Sequence, residues 1–345
     1  MTRSEPCEVV IASYIEPDLA ERIAAAEPRA HVVYEPSLLP PPRYPADHHG
    51  DPRTLDDGEL QRWEAVVERA EVMFDFDWRS PETIPERCPH LRLIQATSAG
   101  VGSVMTRTGL DRSEIEVCTA AGTHAVPLAE FALLGALYFV KGMPTLTAWK
   151  ARHHWELYAT HQLAGRRALV VGLGGIGRRV AESFAALGVE VWGLARRTPP
   201  ELPAGVTRMI TQEEMPGVLP DVDVLVVASP LTEKTHHMVG AAELAALPAH
   251  AIVVNIGRGP VIDEPALIGA LTEGRLAGAC LDVFETEPLP EDSPLWQLDN
   301  VIISPHSAST LAEENEVLVD LFLDNLARYL DGRPRRNVYD RAAGY

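Results

Sequence analysis

Basic side chains are scarce in this sequence. Its 345 residues include 30 lysines and arginines against 49 aspartates and glutamates, which gives a formal net charge of −19 at pH 7. A protein with this charge repels nucleic acid and anionic lipid surfaces, so we expect neither as a partner. An anionic small-molecule substrate would therefore have to bind in a locally positive pocket.

Long hydrophobic runs are absent as well. No uninterrupted apolar stretch approaches the roughly 18 residues of a membrane-spanning helix, and the segment from Met1 to Pro6 lacks the hydrophobic core of a secretory signal. We therefore expect no contact with a membrane and a cytoplasmic location. With 46% hydrophobic and 23% charged residues, the composition is that of a globular protein, and the length is sufficient for two domains with separate cores.

Cysteine is rare, and its spacing argues against disulfides and against metal binding. No C-x-x-C pair occurs, so we predict reduced thiols that serve as packing residues: Cys7, Cys88, Cys118 and Cys280. Adjacent histidines occur at 48–49, 153–154 and 236–237. No carboxylate or cysteine spacing completes a tetrahedral ligand set around them, so we expect no metal.

What the sequence does contain is a glycine-rich turn in the context of a nucleotide-binding unit. A β-branched run over 168–171 predicts a strand, a helical pattern follows until Gly188, and 189–194 predicts a second strand. Between the first strand and the helix lie Gly172, Gly174, Gly175, Ile176 and Gly177. Glycines at this spacing allow a tight turn, close approach to a pyrophosphate and close packing of helix on strand, so the segment predicts dinucleotide binding.

The end of the second strand indicates which dinucleotide. An NAD site places an acid there to accept hydrogen bonds from the adenine ribose, whereas this chain has Arg196, Arg197 and Thr198. Two guanidinium groups and a hydroxyl suit the 2′-phosphate of NADP, so we predict a preference for NADP(H), with NAD(H) as the less favoured cofactor. The alternative is that both arginines are solvated loop residues.

Strands and helices alternate on both sides of this unit. A long helical pattern at 127–141 precedes it and another at 311–330 follows the last strand, so we predict two doubly wound parallel-sheet α/β domains. A Rossmann dinucleotide-binding domain, 122–310, is inserted in a discontinuous flavodoxin-like substrate domain, 1–121 plus 311–345. The loop from Pro36 to Pro52 has no periodicity, and a functional role and disorder remain equal alternatives. The predicted strands outside the glycine unit are 8–12, 31–34, 72–74, 91–95, 116–118, 223–228, 251–255, 278–282 and 301–304.

Three of the later strand ends carry side chains suited to hydride transfer. Arg258, Glu287 and His306 each follow a different predicted strand, and ligands of open α/β sheets bind at the carboxyl ends of strands. Arg258 would hold the carboxylate and carbonyl of a 2-oxo acid, His306 would donate a proton to the carbonyl oxygen, and Glu287 would pair with the imidazolium. Alone, each could be structural: a surface arginine, a turn cap, a core histidine. Their joint occurrence favours a catalytic site.

With these motifs in order, the chain resembles the D-isomer-specific 2-hydroxyacid dehydrogenase family. The resemblance covers nearly the whole chain and is strongest over 163–309, including the glycine turn and the segments 229–235, 255–263, 281–284 and 304–306. It implies a homodimer and a catalytic triad of Arg258, Glu287 and His306. It also implies cofactor contacts, which we predict at Gly172, Gly174, Gly175, Ile176, Gly177, Ser229, Ile256, Asp282 and Ser309. Asp282 would hold the nicotinamide carboxamide, unless it serves as a helix or turn cap.

The resemblance also implies a substrate-binding loop at Ser98, Ala99, Gly100 and Val101, whose backbone amides would bind the substrate carboxylate. The family usually has Asp after Gly-Val, whereas this chain has Gly102, so looser support of the loop is expected. Related formate dehydrogenases carry Gln in place of Glu287, and phosphite dehydrogenases place a Lys near Ala99. Neither feature occurs here.

The predicted function is therefore an NADP(H)-preferring reductase of small 2-oxo acids that gives D-2-hydroxy acids in a cleft between the two domains. Glyoxylate and hydroxypyruvate are the first candidate substrates. The alternative is a dinucleotide-sensing regulatory binding protein of the corepressor type, in which the cofactor controls association with a partner.

Overall fold

The computed structural model describes residues 6–196, 200–342 and 344, and the chain forms two compact units. The first unit comprises Met1–Thr123 and Thr310–Tyr345, and the second comprises His124–Ser309. The predicted class of two parallel-sheet α/β domains is confirmed, because each unit contains one sheet whose paired strands run parallel.

The first unit is built on a five-stranded sheet with the order β2-β1-β3-β4-β5, the flavodoxin-like order. Its strands are short apolar runs that are mostly buried, as expected for a parallel sheet covered on both faces. The strands are β1 Cys7–Ile11, β2 Ala30–Val33, β3 Val72–Phe74, β4 Leu93–Gln95 and β5 Glu116–Cys118, and the helices are α1 Pro17–Ala26, α2 Asp57–Arg69, α3 Ile84–Arg87 and α4 Gly102–Thr108.

The second unit contains a seven-stranded sheet with the order β12-β11-β10-β9-β6-β7-β8. The chain builds outward from β6 in one direction, then returns to β9 on its other side, which is the Rossmann arrangement. The strands are β6 Arg167–Val171, β7 Glu190–Leu194, β8 Val206–Ile210, β9 Val224–Val227, β10 Ile252–Asn255, β11 Gly278–Leu281 and β12 Val301–Ile303; the helices are α5 Ala125–Val140, α6 Met143–Ala151, α7 Gly175–Ala186, α8 Met215–Val218, α9 Ala241–Ala246 and α10 Glu264–Thr272.

The last helix, α11 Glu314–Leu330, belongs to the first unit. Its apolar face is fully buried in the core of that unit, and the Phe322 ring meets Phe74 of β3 edge to face with centroids 5.3 Å apart. Aromatic pairs favour this geometry, so α11 is held against the sheet by specific packing as well as by hydrophobic burial.

The sequence-based predictions missed one strand and left the conformation of one loop open. Strand β8 was not predicted, because Thr207 and Arg208 are exposed in the middle of this edge strand and break the apolar run. The loop from Pro36 to Pro52, for which disorder was an alternative, folds around Asp47. The Asp47 carboxylate pairs with the Arg43 guanidinium at 2.6 Å and accepts backbone N–H groups, including that of Gly50 at 3.1 Å.

The helices were also compared with the length and composition of membrane spans. Among the described residues, no single helix is long and apolar enough to cross a bilayer; α5 and α6 reach that composition only as a pair, which is bent by 66°.

Candidate active site

The glycine turn lies where the strand order of the second unit reverses. Gly172 directly follows β6 and has φ +98°, and a Cβ there would lie 2.7 Å from Cα of Ser229, which lies just past the end of β9. A Cβ at Gly177 would lie 1.8 Å from the carbonyl oxygen of Gly172. Both positions therefore exclude a side chain. Gly174, by contrast, has open space where its Cβ would be, so a ligand can approach the backbone before Gly175 and Ile176 begin α7.

The end of β9 provides a second observation that fits a dinucleotide. Ser229 is 5% exposed, and its Oγ is buried without a hydrogen-bond partner in the described part of the chain. Buried hydroxyls are normally hydrogen-bonded, so an unpartnered one beside a glycine turn fits a bound ligand. Ile256, which follows the neighbouring strand β10, is buried next to this position in the sheet. The residues present therefore fit a pyrophosphate and its riboses.

The end of β7 bears on the choice between NAD and NADP. No acid occurs between Leu194 and Glu201, and Arg196 is exposed just past the strand. Arg197 and Thr198, the other two residues of this prediction, lie outside the described residues.

Glu287 and His306 form a hydrogen-bonded pair. Nδ1 of His306 lies 2.7 Å from Oε2 of Glu287, and the other carboxylate oxygen accepts the backbone N–H of Phe284 at 3.0 Å. Because Nδ1 is engaged with the carboxylate, Nε2 is the nitrogen left to meet a substrate. His306 has φ 54°, in the left-handed region, which is uncommon for a residue with a side chain.

The electrostatics of this pair favour an ionised carboxylate. Burial raises the pKa of Glu287, but hydrogen bonds from His306 and the Phe284 amide, together with the charges of His306 and Arg258, outweigh burial and leave the pKa below its ordinary value. Glu287 is therefore ionised at neutral pH and can stabilise a cationic imidazole.

The positive charge of Arg258 contributes to the lowered pKa of Glu287. It follows β10 and is partly buried, with Nη1 donating to the carbonyl oxygen of Gly257 at 2.7 Å. The turn is held by Asn255, whose Nδ2 donates to the Arg258 carbonyl and whose Oδ1 accepts from the Gly257 amide, each at 3.1 Å. The sequence analysis did not single out Asn255, although an amide as the last residue of a buried strand is a recognisable signal.

Asp282 supports the loop that carries His306. Asp282 is 2% exposed, and its Oδ1 accepts hydrogen bonds from Oγ of Ser304 at 2.6 Å and from the backbone N–H of Ala308 at 2.9 Å. This oxygen therefore serves as a turn cap, the alternative considered for Asp282. Ser309 is partly buried at the end of the same loop.

Comparison with known proteins gives the same family. Residues 133–308 match the family model described as D-isomer specific 2-hydroxyacid dehydrogenase, NAD binding domain. A glyoxylate reductase of Korarchaeum cryptofilum is 32% identical over 266 residues, which is 74% of this chain and 78% of that protein. The chain belongs to the D-isomer-specific 2-hydroxyacid dehydrogenase family.

Solved structures of this family agree along the whole chain. A D-isomer-specific 2-hydroxyacid dehydrogenase from Xanthobacter autotrophicus, in complex with NADPH and MES, has 31% identity and a TM-score of 0.78, covering 99% of this chain and 100% of that one. An NADPH-dependent glyoxylate/hydroxypyruvate reductase from Sinorhizobium meliloti, with NADP and sulfate, has 25% identity and a TM-score of 0.77, covering 98% and 100%. The prediction of a D-2-hydroxyacid dehydrogenase is confirmed, and the regulatory alternative is not favoured.

The loop that family resemblance assigns to the substrate lies in the first unit, directly after β4. The carbonyl of Ser98 accepts the N–H of Ala120 at 3.0 Å, and buried Val101 begins α4 by accepting from Met105 at 2.9 Å. At Gly102, where the resemblance led us to expect an Asp, a Cβ would lie 2.7 Å from the carbonyl oxygen of Gly344. The backbone of Gly344 thus occupies the space that a side chain at Gly102 would need.

The four cysteine thiols add no reactive group to the candidate site. All four cysteines are free and buried, and burial raises the pKa of three of them, Cys88, Cys118 and Cys280, to about 12. Such thiols are inert packing groups at neutral pH. Among the described residues no group of three His, Cys, Asp or Glu side chains is arranged to hold a metal ion.

Proposed function

We propose that this dehydrogenase is an NADP(H)-preferring reductase of small 2-oxo acids, with glyoxylate and hydroxypyruvate as the first candidates. Relatives named as glyoxylate and hydroxypyruvate reductases support the substrate class. The absence of an acid between Leu194 and Glu201 in the sequence, and the arginines there, support the cofactor preference. Neighbouring structures that hold NADPH or NADP agree with it.

The observation that carries the proposal is the contact between Glu287 and His306. When bound, the cofactor supplies the hydride. His306 holds the proton on Nε2 and transfers it to the carbonyl oxygen of the 2-oxo acid as the adjacent carbon is reduced. Glu287 stabilises the imidazolium through Nδ1, at the 2.7 Å separation described above. Loss of the proton leaves a neutral imidazole, which is reprotonated from water before the next turnover.

The remaining predicted residues would bind the substrate and the cofactor and orient them. Arg258 would hold the carbonyl and carboxylate oxygens of the substrate with its planar guanidinium. Backbone amides of Ser98, Ala99, Gly100 and Val101 would bind the carboxylate. Asp282 would orient the nicotinamide carboxamide with the oxygen that does not cap the His306 loop, and the glycine turn with Ser229 would hold the pyrophosphate side of the cofactor.

We also propose a homodimer formed through the second unit. Helix α5 and the segment after α6 expose large apolar side chains, including Leu134 at 54%, Trp155 at 93% and Leu157 at 91%. Large apolar side chains left exposed are candidates for burial in a protein interface. Light scattering coupled to gel filtration measures the mass directly; a monomer at micromolar concentration would contradict the proposal.

The experiment for the main proposal is a steady-state panel. Glyoxylate, hydroxypyruvate, pyruvate and a bulkier aromatic 2-oxo acid are each assayed with NADPH and with NADH, and the product is analysed on a chiral column. The proposal predicts the highest kcat/KM for a small 2-oxo acid with NADPH and a D product wherever the product is chiral. A higher kcat/KM with NADH would reject the cofactor preference, and no turnover of any 2-oxo acid would reject the reaction.

A further inference from the structure

The segment that carries Glu287 has no regular secondary structure of its own. From Asp282 to Pro288 the chain forms neither helix nor strand, so other contacts must fix its position. One of these is with the segment that carries Arg258. A Cβ at Gly259 would lie 1.8 Å from the carbonyl oxygen of Phe284 and 2.5 Å from the backbone nitrogen of Glu285, so the two backbones are in direct contact.

Two glutamates join these segments reciprocally. The backbone N–H of Glu285 donates to Oε2 of Glu264 at 2.9 Å, and the backbone N–H of Glu264 donates to Oε1 of Glu285 at 3.3 Å. Glu264 is the first residue of α10, directly after the turn that begins at Arg258. Burial and the charge of Glu285 raise the pKa of Glu264, so the two neighbouring carboxylates repel each other.

His237 also contacts this pair of glutamates. Its Nε2 lies 2.7 Å from Oε1 of Glu285, and its backbone N–H donates to the carbonyl oxygen of Pro260 at 2.8 Å. His237 has φ 48°, so the surrounding contacts hold its backbone in an unfavoured conformation. Like Glu264, this histidine is attached to the segment that begins at Arg258.

From this arrangement we propose that Glu285, held by Glu264 and His237, is a positioning residue that sets the Glu287–His306 pair relative to Arg258. The inference rests on the proposed function. Glu285 is two residues from Glu287 and would touch neither substrate nor cofactor. Its side chain fixes the loop to the Arg258 segment, and Glu287 in turn fixes His306. Displacements of about 1 Å among reacting groups can cost about 100-fold in rate, so a loosened loop should be visible in catalysis.

The test compares E285A, E285Q and a control, E291A, which removes an exposed acid from the same connection after β11. For each variant we would measure kcat, KM for glyoxylate, KM for NADPH and Tm. Fluorescence titration would give the Kd of NADPH and the number of binding sites. The primary isotope effect would be measured with NADPH deuterated at the transferred position. E285A is expected to lower kcat per binding site about 10- to 100-fold. The Kd of NADPH should stay within about twofold, and the isotope effect should rise because hydride transfer becomes rate-limiting.

E285Q retains an amide oxygen that can accept from Glu264 and His237, so it is expected to recover most of the activity, and E291A should behave as wild type. A variant E285A with lowered Tm but wild-type kcat per binding site and isotope effect would show that the cluster is merely structural and overturn the proposal. If E285A does not fold, H237G removes the histidine side chain from the same contact without straining the left-handed backbone at this position, and an unchanged kcat in H237G also overturns the proposal.

Failure of the proposed function is distinguishable from failure of this inference. Wild-type protein that reduces no 2-oxo acid overturns both. Wild-type protein that is active beside an equally active E285A overturns only the positioning role of Glu285.

Discussion

Replacement of Glu287 by glutamine separates the charge of this side chain from its size. The carboxylate accepts hydrogen bonds on both oxygens, from the His306 ring and from the Phe284 amide. Glutamine has only one acceptor oxygen, so it can satisfy one of these donors and must turn its NH₂ group towards the other. The variant thus loses the negative charge opposite the imidazolium together with one hydrogen bond, at nearly constant volume.

The expected loss can be worked from the geometry. Two unit charges about 4 Å apart attract by about 4 kcal/mol at an effective dielectric constant of about 20. The His306 and Glu287 side chains are 45% and 36% exposed, so solvent screening reduces this substantially, to about 1–2 kcal/mol. At about 1.4 kcal/mol per factor of ten, the imidazolium should be about 5- to 30-fold harder to form in E287Q.

The assay is the pH dependence of kcat/KM for glyoxylate reduction between about pH 5 and pH 9. In E287Q the alkaline limb should move to lower pH by about one unit, because 1.4 kcal/mol corresponds to one unit. On the alkaline limb the rate of E287Q should therefore be about tenfold below that of the wild type at the same pH, and the two rates should converge as the solution is acidified. The pKa of Glu287 is lowered in the folded protein, so the wild-type pair persists above about pH 4.5 and is lost only as the pH falls further.

Two results would refute this reasoning. A rate loss of the same size at every pH would mean that the charge of Glu287 does not act on the imidazole, and a large change in the Kd of NADPH would mean that the substitution disturbs the cofactor site instead. E291Q, which removes an exposed charge a few residues away, is the matched control and should leave the profile unchanged.

Three further predictions follow from the described contacts. H306N should bind NADPH with nearly unchanged Kd while kcat falls about 10²- to 10⁴-fold; unchanged turnover would exclude His306 as the acid. F322A should lower the free energy of unfolding by about 3–5 kcal/mol in urea, because Phe322 is fully buried against Phe74; a loss below about 1 kcal/mol would contradict that packing. Burial lowers the pKa of His48, so just below about pH 6.5 the unfolded chain binds more protons than the folded one. The free energy of unfolding should therefore fall as the pH drops through that region. H48Q should make this dependence of stability on pH shallower, and an identical dependence would contradict the role of His48.

The fold class was predictable because its signals are local. Strands such as β9 and β10 are short runs of apolar residues between turn residues, and buried parallel strands require that composition. The glycine turn was predictable for the same reason, since turn, strand and helix lie within one continuous segment. Strand β8 was missed because its exposed residues break the pattern, which is characteristic of an edge strand.

Parts of the site could not be predicted because they depend on how distant segments meet. The contact of His237 with Glu285 joins residues 48 positions apart, and no pattern in the sequence predicts it. A side chain at Gly102 is excluded because Gly344, more than 200 residues later, fills the space that the side chain would need. The interpretation of Arg197 and Thr198 as NADP ligands stays a prediction, because both lie outside the described residues.

The left-handed backbone at His306 complicates any mutational scan of this position. Alanine and β-branched residues disfavour that conformation, whereas asparagine adopts it more readily. An alanine substitution therefore removes the ring and strains the chain at once, and its phenotype mixes chemistry with conformation. An asparagine at this position isolates the chemical contribution, and libraries built on this scaffold should include it as the reference for every other replacement.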